Sequence, residues 1–159
     1  MRTTLLVVGE TSSPELHRLI EEYRQRIGGY IPFDIEILPD PKRRKQQASI
    51  ANQQQATCEA IASVIAPSDL VVLLDERGKE YTSRQWAEQL QRYMNSGAKR
   101  LLLVVGGPYG FTPEFKQRYG QQAWSLSRLT LTHEMVRLFA VEQIYRACTI
   151  LRGEPYHHD

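Results

Sequence analysis

Residues 101–111 read LLLVVGGPYGF, five apolar residues that run straight into Gly106-Gly107-Pro108-Tyr109-Gly110. A Leu/Val run with no polar alternation suits a parallel strand covered by helices on both faces. Gly106, Gly107 and Gly110 then give backbone freedom and close approach at the strand's carboxyl end, the edge where open α/β sheets take their ligands. The spacing counts against three common ligand chemistries. A dinucleotide turn needs G-x-G-x-x-G after the first strand and an acidic residue about 20 positions on, whereas these glycines follow the fourth strand. No G-x-x-x-x-G-K-[ST] phosphate loop and no G-x-S-x-G nucleophile elbow is present. His17, His133, His157 and His158 lack H-E-x-x-H spacing, so no functional metal is expected.

A second candidate is PKRRKQQ, which places Lys42, Arg43, Arg44 and Lys45 in one unbroken run. Such a run is either a solvated loop or a patch that contacts nucleic-acid phosphates without reading sequence. With a formal net charge of only +2, the surface as a whole is no polyanion binder. Cys58 and Cys148 stand alone, without CxxC spacing, and are read as buried thiols in a reducing compartment. The amino terminus MRTTLLVVGE carries an apolar run too short for a signal-peptide core or a membrane span, which predicts a cytosolic protein. No linker, repeat or shift in composition divides the 159 residues, so residues 1–159 are expected to form a single domain.

The elements that must hold these residues alternate. TTLLVVG (3–9) reads as a first strand, and Ser13-Pro14 opens a helix to Ile27, stopped by Gly28-Gly29. FDIEIL (33–38) alternates like an edge strand with one wet face. A Gln- and Ala-rich helix over 47–65 follows, then a buried-type strand DLVVLLD (69–75) and a turn ERGKEY. Thr82 and Gln85 form a capping box for a helix to Asn95. After the strand 100–105, Thr112-Pro113 starts a short helix, AWSLS is a short strand, and a long helix covers 133–152. The class is α/β with a mainly parallel sheet. On the last helix Val136, Ala140, Ile144, Ala147 and Leu151 lie on one side and Met135, Phe139 and Ile150 roughly opposite, with Leu138 and Tyr145 between. Such a helix needs two surfaces, its own sheet and either a second copy of the chain or a position wholly inside one protomer.

VVGGPYGF followed by SLSRLTLTHEMVRLFAVEQIYRACTILRGEPYHHD resembles the small SPOUT-superfamily methyltransferases that methylate N3 of a pseudouridine in bacterial large-subunit (23S) ribosomal RNA. The matching pattern is Gly-Gly-x-x-Gly, Ser-x-Ser-x-x-Thr, a His opening the last helix, Glu-Gln-x-Tyr-Arg-Ala within it, and Pro-Tyr-His. The first strand, EYRQRI and LLDERGK extend the resemblance along essentially the whole chain. It implies a sheet with helices on both faces and a carboxyl-terminal trefoil knot, S-adenosylmethionine as methyl donor, and a homodimer whose active site draws on both protomers. It places the donor against Leu74 with its neighbours, Gly106 with Gly107, and Leu126-Ser127-Arg128-Leu129-Thr130-Leu131. A Cβ at Gly106 or Gly107 is then expected to fill space that the donor needs.

An imide N–H is a poor nucleophile until its proton leaves, so the resemblance gives His133, Arg137, Arg146, Tyr156 and His157 the tasks of aligning the base, moving the proton and stabilising the flanking oxygens. Blander readings stand beside these: His133 merely opens its helix behind a Thr132 cap, and Arg146 pairs with Glu142 at i,i+4. The chain departs from the family with Thr132 where Pro is common, His158 where Arg or Lys is usual, and ANQQQATCEA where an acidic stretch is usual. The assembled ribosome is the implied substrate, with Lys42–Lys45 on its phosphates. Methylation of another RNA position, such as a ribose 2'-oxygen, and a non-catalytic ribosome-associated dimer are the alternatives.

Overall fold

The computed structural model describes residues 1–41 and 49–159, and the basic run Lys42–Lys45 lies outside the described residues. Its strands are β1 (Arg2–Val8), β2 (Phe33–Leu38), β3 (Leu70–Glu80), β4 (Arg100–Val105) and β5 (Ala123–Ser125). They form one parallel sheet in the order β2-β1-β4-β3-β5. β2 is an edge, as its alternation predicts, and Leu38 alone in it is fully buried. The helices are α1 (Pro14–Gly28), α2 (Ile50–Ala62), α3 (Ser83–Asn95), α4 (Pro113–Tyr119) and α5 (His133–Leu151).

Because side chains alternate across a strand, the apolar runs feed two cores. Leu5, Val7, Val72, Leu101, Leu103 and Val105 face α1, α3 and α5, where they meet Ile27, Trp86, Leu90, Ala140 and Ile144. Leu6, Val8, Leu73, Leu102 and Val104 face α2 and α4, against Cys58, Ile61 and Phe115. Cys58 and Cys148 are buried free thiols, and burial pushes both above the ordinary thiol range, Cys148 to about 11.

Helix starts follow the expected chemistry. The Ser13, Thr82, Thr112 and Thr132 hydroxyls each accept a backbone N–H of the first turn, and Gln85 returns the bond to Thr82. Two elements differ from expectation by more than two residues. α2 runs from Ile50 to Ala62, inside the expected 47–65. ERGKEY is not a turn that ends β3. β3 pairs with β5 at Leu73↔Ala123 and Leu74↔Trp124, bulges over residues 75–78, and pairs again at Lys79↔Trp124 and Glu80↔Ser125. Gly78 makes this crossing possible, because a Cβ there would lie 2.5 Å from the Ala123 carbonyl carbon.

Candidate active site

The loops that leave the carboxyl ends of β3, β4 and β5 converge on one cavity of about 660 Å³, within the usual range for a small-molecule site. Leu74 to Arg77 come from β3, Val105 to Phe111 follow β4, and Leu126, Ser127 and residues 129–133 follow β5, with Val136 on the first turn of α5. Each loop is braced by its own polar groups. Gly110 takes a left-handed conformation (φ 72°), and its N–H donates to the Gly107 carbonyl at 3.0 Å, closing the Pro108-Tyr109 turn. Gln54 of α2 donates its amide to the carbonyls of Tyr109 and Phe111 at 2.9 and 3.2 Å. In the Ser-x-Ser stretch, the Ser125 hydroxyl donates to the Ser127 carbonyl at 2.9 Å, while the Leu129 N–H donates to the Ser127 hydroxyl at 3.0 Å. Thr130 reaches across to Glu76 at 3.0 Å and ties the last loop to the β3 bulge.

Gly106 and Gly107 line the cavity, and packing within the protein already requires both to be small. A Cβ on Gly107 would meet the Thr57 methyl at 3.0 Å, and one on Gly106 the Phe111 ring at 3.2 Å. The missing side chains make room for protein packing and let the loop backbone settle on α2, where it forms the cavity wall. A Gly107→Val change therefore strikes α2 before it tests any ligand. Of the other expected donor contacts, Leu74, Leu126, Ser127, Leu129, Thr130 and Leu131 line the cavity. Arg128 does not. Its guanidinium pairs with Glu80 and its side chain is 84% exposed.

The cavity carries charge that motif reading missed. Burial alone would raise the Asp75 carboxyl, but the Arg77 N–H at 3.0 Å and the Lys116 ammonium at 2.9 Å outweigh it and hold that carboxyl below its ordinary range. Asp75 and Lys116 both line the cavity, with Glu76 and Arg77 beside them. Asp75, Glu76 and Arg77 lie in LLDERGK, one of the stretches that carry the family resemblance, whereas Lys116 stands in none of them.

His133 lines the cavity, while Thr132 supplies the helix cap, so capping and a facing imidazole coexist on adjacent residues. The remaining expected catalytic residues are elsewhere. Arg137 is 2% exposed and does not line the cavity. Its guanidinium donates to the Gly9 carbonyl at 2.8 Å, the Thr11 hydroxyl at 3.0 Å and the Val8 carbonyl at 2.8 Å, pinning the end of β1 under α5. Beside it, Glu134 accepts the Ser12 N–H and hydroxyl at 2.5 and 2.7 Å. In this chain the Arg137 side chain holds the end of β1 and does not open onto the cavity.

Arg146, Tyr156 and His157 form a second cluster at the far end of α5. Arg146 donates to Glu142 at 2.5 Å, as the i,i+4 reading anticipated, and Tyr156 donates to the same carboxylate oxygen at 3.0 Å. Arg146 also stacks over the Tyr156 ring at 4.7 Å. At 1.5 Å per residue, position 146 lies about 20 Å along the helix from His133. One chain therefore does not bring His133 and the tail cluster to one point. Between them, α5 packs against α1 and α3, but Phe139 is 43% exposed. Neither the sheet nor the neighbouring helices cover that side. Among the described residues, no group of His, Cys, Asp and Glu is placed to hold a metal ion, and no helix is long and apolar enough to cross a membrane.

A protein-family profile described as "Predicted SPOUT methyltransferase" matches residues 1–157. The chain is 48% identical over 159 residues to "Ribosomal RNA large subunit methyltransferase H" of Christiangramia forsetii, covering 99% of each chain. It is 46% identical to the protein of that name from Flavobacterium psychrophilum, again over 99% of both. The same name is carried by a Porphyromonas gingivalis relative that is 45% identical over the full length of both chains.

Proposed function

This chain belongs to the SPOUT methyltransferase family, and from that premise we propose that it transfers a methyl group from S-adenosylmethionine to N3 of a pseudouridine in 23S ribosomal RNA on the assembled ribosome. The observation that carries the reading is the three-loop cavity at the carboxyl ends of β3, β4 and β5, in a chain whose relatives are named for the large ribosomal RNA. The cavity suits the donor. Leu74, Leu126, Leu131 and Val136 offer apolar wall, the Gly106-Gly107 backbone offers N–H and C=O groups for an adenine edge, and Asp75 and Glu76 offer negative charge for a sulfonium. When bound, that donor supplies an electrophilic methyl carbon.

The chain's own groups have three tasks. His133, at the cavity wall, takes the N3 proton, because an imidazole can accept one near neutral pH and an arginine cannot. Arg146 stabilises the negative charge that develops on the flanking carbonyls. Tyr156 packs on the base and holds N3 in line. The separation of about 20 Å between His133 and the tail cluster supports a site built from two copies, with the exposed Phe139 face of α5 towards the partner. The same reading places the enzyme in the cytosol, where ribosomes are, and includes the trefoil knot that the family implies.

Mixed dimers test the composite site. A chain carrying His133→Ala and a chain carrying Tyr156→Ala should each be inactive alone. Co-purified as a heterodimer they should recover about half the wild-type rate, since one of two sites is then intact; a heterodimer as inactive as its parents would show that both residues act within one chain. Replacing Lys42, Arg43, Arg44 and Lys45 by Gln should weaken ribosome binding and make its salt dependence shallower while leaving donor affinity unchanged. An unchanged salt slope in a filter-binding titration would remove that patch from the account.

A further inference from the structure

The carboxyl-terminal tail is fastened at a point that the reaction scheme does not use. Arg84, on the first turn of α3, donates its Nε to both carboxylate oxygens of Asp159, at 2.9 and 2.8 Å. The Asp159 carboxylate also meets His157 Nε2 at 2.8 Å, and the other ring nitrogen of His157, Nδ1, lies 3.3 Å from Arg146 Nη1. An arginine has donors and no acceptor, so Nδ1 must carry the lone pair, and the ring proton then sits on Nε2 and points at Asp159. The His157 side chain is only 13% exposed. Arg84 and Asp159 are the charged groups on one side of the ring, and Arg146, with Glu142 and the Tyr156 hydroxyl behind it, occupies the other.

We propose that Arg84 and Asp159 are positioning residues that clip the tail to α3 and fix His157 as a neutral Nε2–H imidazole, so that His157 orients Arg146 and Tyr156 and does not receive the N3 proton. Both ring nitrogens are engaged, one by a permanent cation and one by a carboxylate, which leaves no vacant basic site on the ring. The carboxyl of Asp159 is held down to about 2 by Arg84 and then by His157, so the clip stays charged throughout the neutral range. Four exposed residues, Arg152–Pro155, separate the end of α5 at Leu151 from Tyr156. Tyr30 donates its hydroxyl to Glu154 within that segment at 2.5 Å, and the Arg84–Asp159 contact adds an anchor on the far side of His157.

The inference rests on the tail's proposed part in methyl transfer, but its first test does not use activity. Long-range 15N–1H spectra of the full-length protein with labelled histidine read the tautomer of His157 directly. The Nε2–H form at neutral pH is expected in the wild type, and a mixture of tautomers in Asp159→Asn. A doubly protonated or Nδ1–H ring in the wild type would overturn the assignment, whether or not the protein methylates ribosomes. In the methylation assay, Arg84→Gln and Asp159→Asn should each lower kcat by about three- to tenfold, with donor affinity within about twofold of wild type, and Asp159→Glu should recover most of the loss. The double variant should lose no more than the worse single variant, because both remove one contact. Additive losses, or wild-type kcat in both single variants, would show that the clip positions nothing.

Discussion

Arg137→Met should lower the unfolding free energy by about 2–4 kcal/mol, measured by urea titration at a fixed chain concentration. The guanidinium is almost fully enclosed and donates to two backbone carbonyls and a hydroxyl, all at or just beyond the end of β1. Burial pulls it below its ordinary range, against the opposing charges of Glu134, Glu10 and Asp40, and it remains a cation. Replacing a buried charge by an apolar side chain of similar length can be neutral where nothing is orphaned. Here the Val8 and Gly9 carbonyls and the Thr11 hydroxyl would all lose their donor. His133 and Val136 lie on the same turns of α5 as Arg137, so donor affinity should fall with the stability. An Arg137→Met protein of wild-type stability that had lost only turnover would return this residue to the reacting centre.

Gly78→Ala should cost about 2–4 kcal/mol and weaken donor binding by at least about tenfold. The added methyl would lie 2.5–2.7 Å from the Ala123 carbonyl and the Trp124 nitrogen, which are backbone atoms with no rotamer to yield. Either the β3 bulge or β5 must move. The bulge carries Asp75, Glu76 and Arg77 into the cavity, and β5 leads into the Leu126–Leu131 loop, so either movement opens the wall. Calorimetric titration with the donor and urea denaturation should therefore change together. Gly97→Ala gives a contrast, since its constraint is a left-handed backbone (φ 80°) with nothing within 4 Å of the added carbon. It should cost about 1 kcal/mol and leave donor affinity alone.

The sheet and its two cores were legible because the Leu/Val runs admit only strands covered on both faces, and the caps of α1, α3, α4 and α5 were legible because Ser or Thr stood immediately before each of them. Strand order was not, since nothing local says that β4 inserts between β1 and β3. ERGKEY misled for a related reason. Gly and charge mark a turn when read locally, whereas pairing with β5, nearly fifty residues away, resumes the strand beyond the bulge. The cavity wall was largely legible through the family pattern, which named the loops but not the packing behind Gly106 and Gly107. Their Cβ space belongs to Phe111 and Thr57, contacts between segments that no motif spans. Arg137 had a usable signal that motif matching overlooked. It stands in the stripe 137-141-144-148, whose other members Val141, Ile144 and Cys148 are buried, so its position on the helix already placed it inside. Arg84 and Asp159 had none, because a contact from the chain terminus to α3 depends on where the tail folds back.

The most direct measurement is transfer of isotope-labelled methyl from S-adenosylmethionine to intact ribosomes that lack the modification, followed by nucleoside mass spectrometry of the 23S RNA. The account predicts label in N3-methylpseudouridine, lost with His133→Ala and with Tyr156→Ala while donor binding persists. Label in a ribose methyl or in another base, or no transfer by a protein that binds the donor tightly, would contradict it.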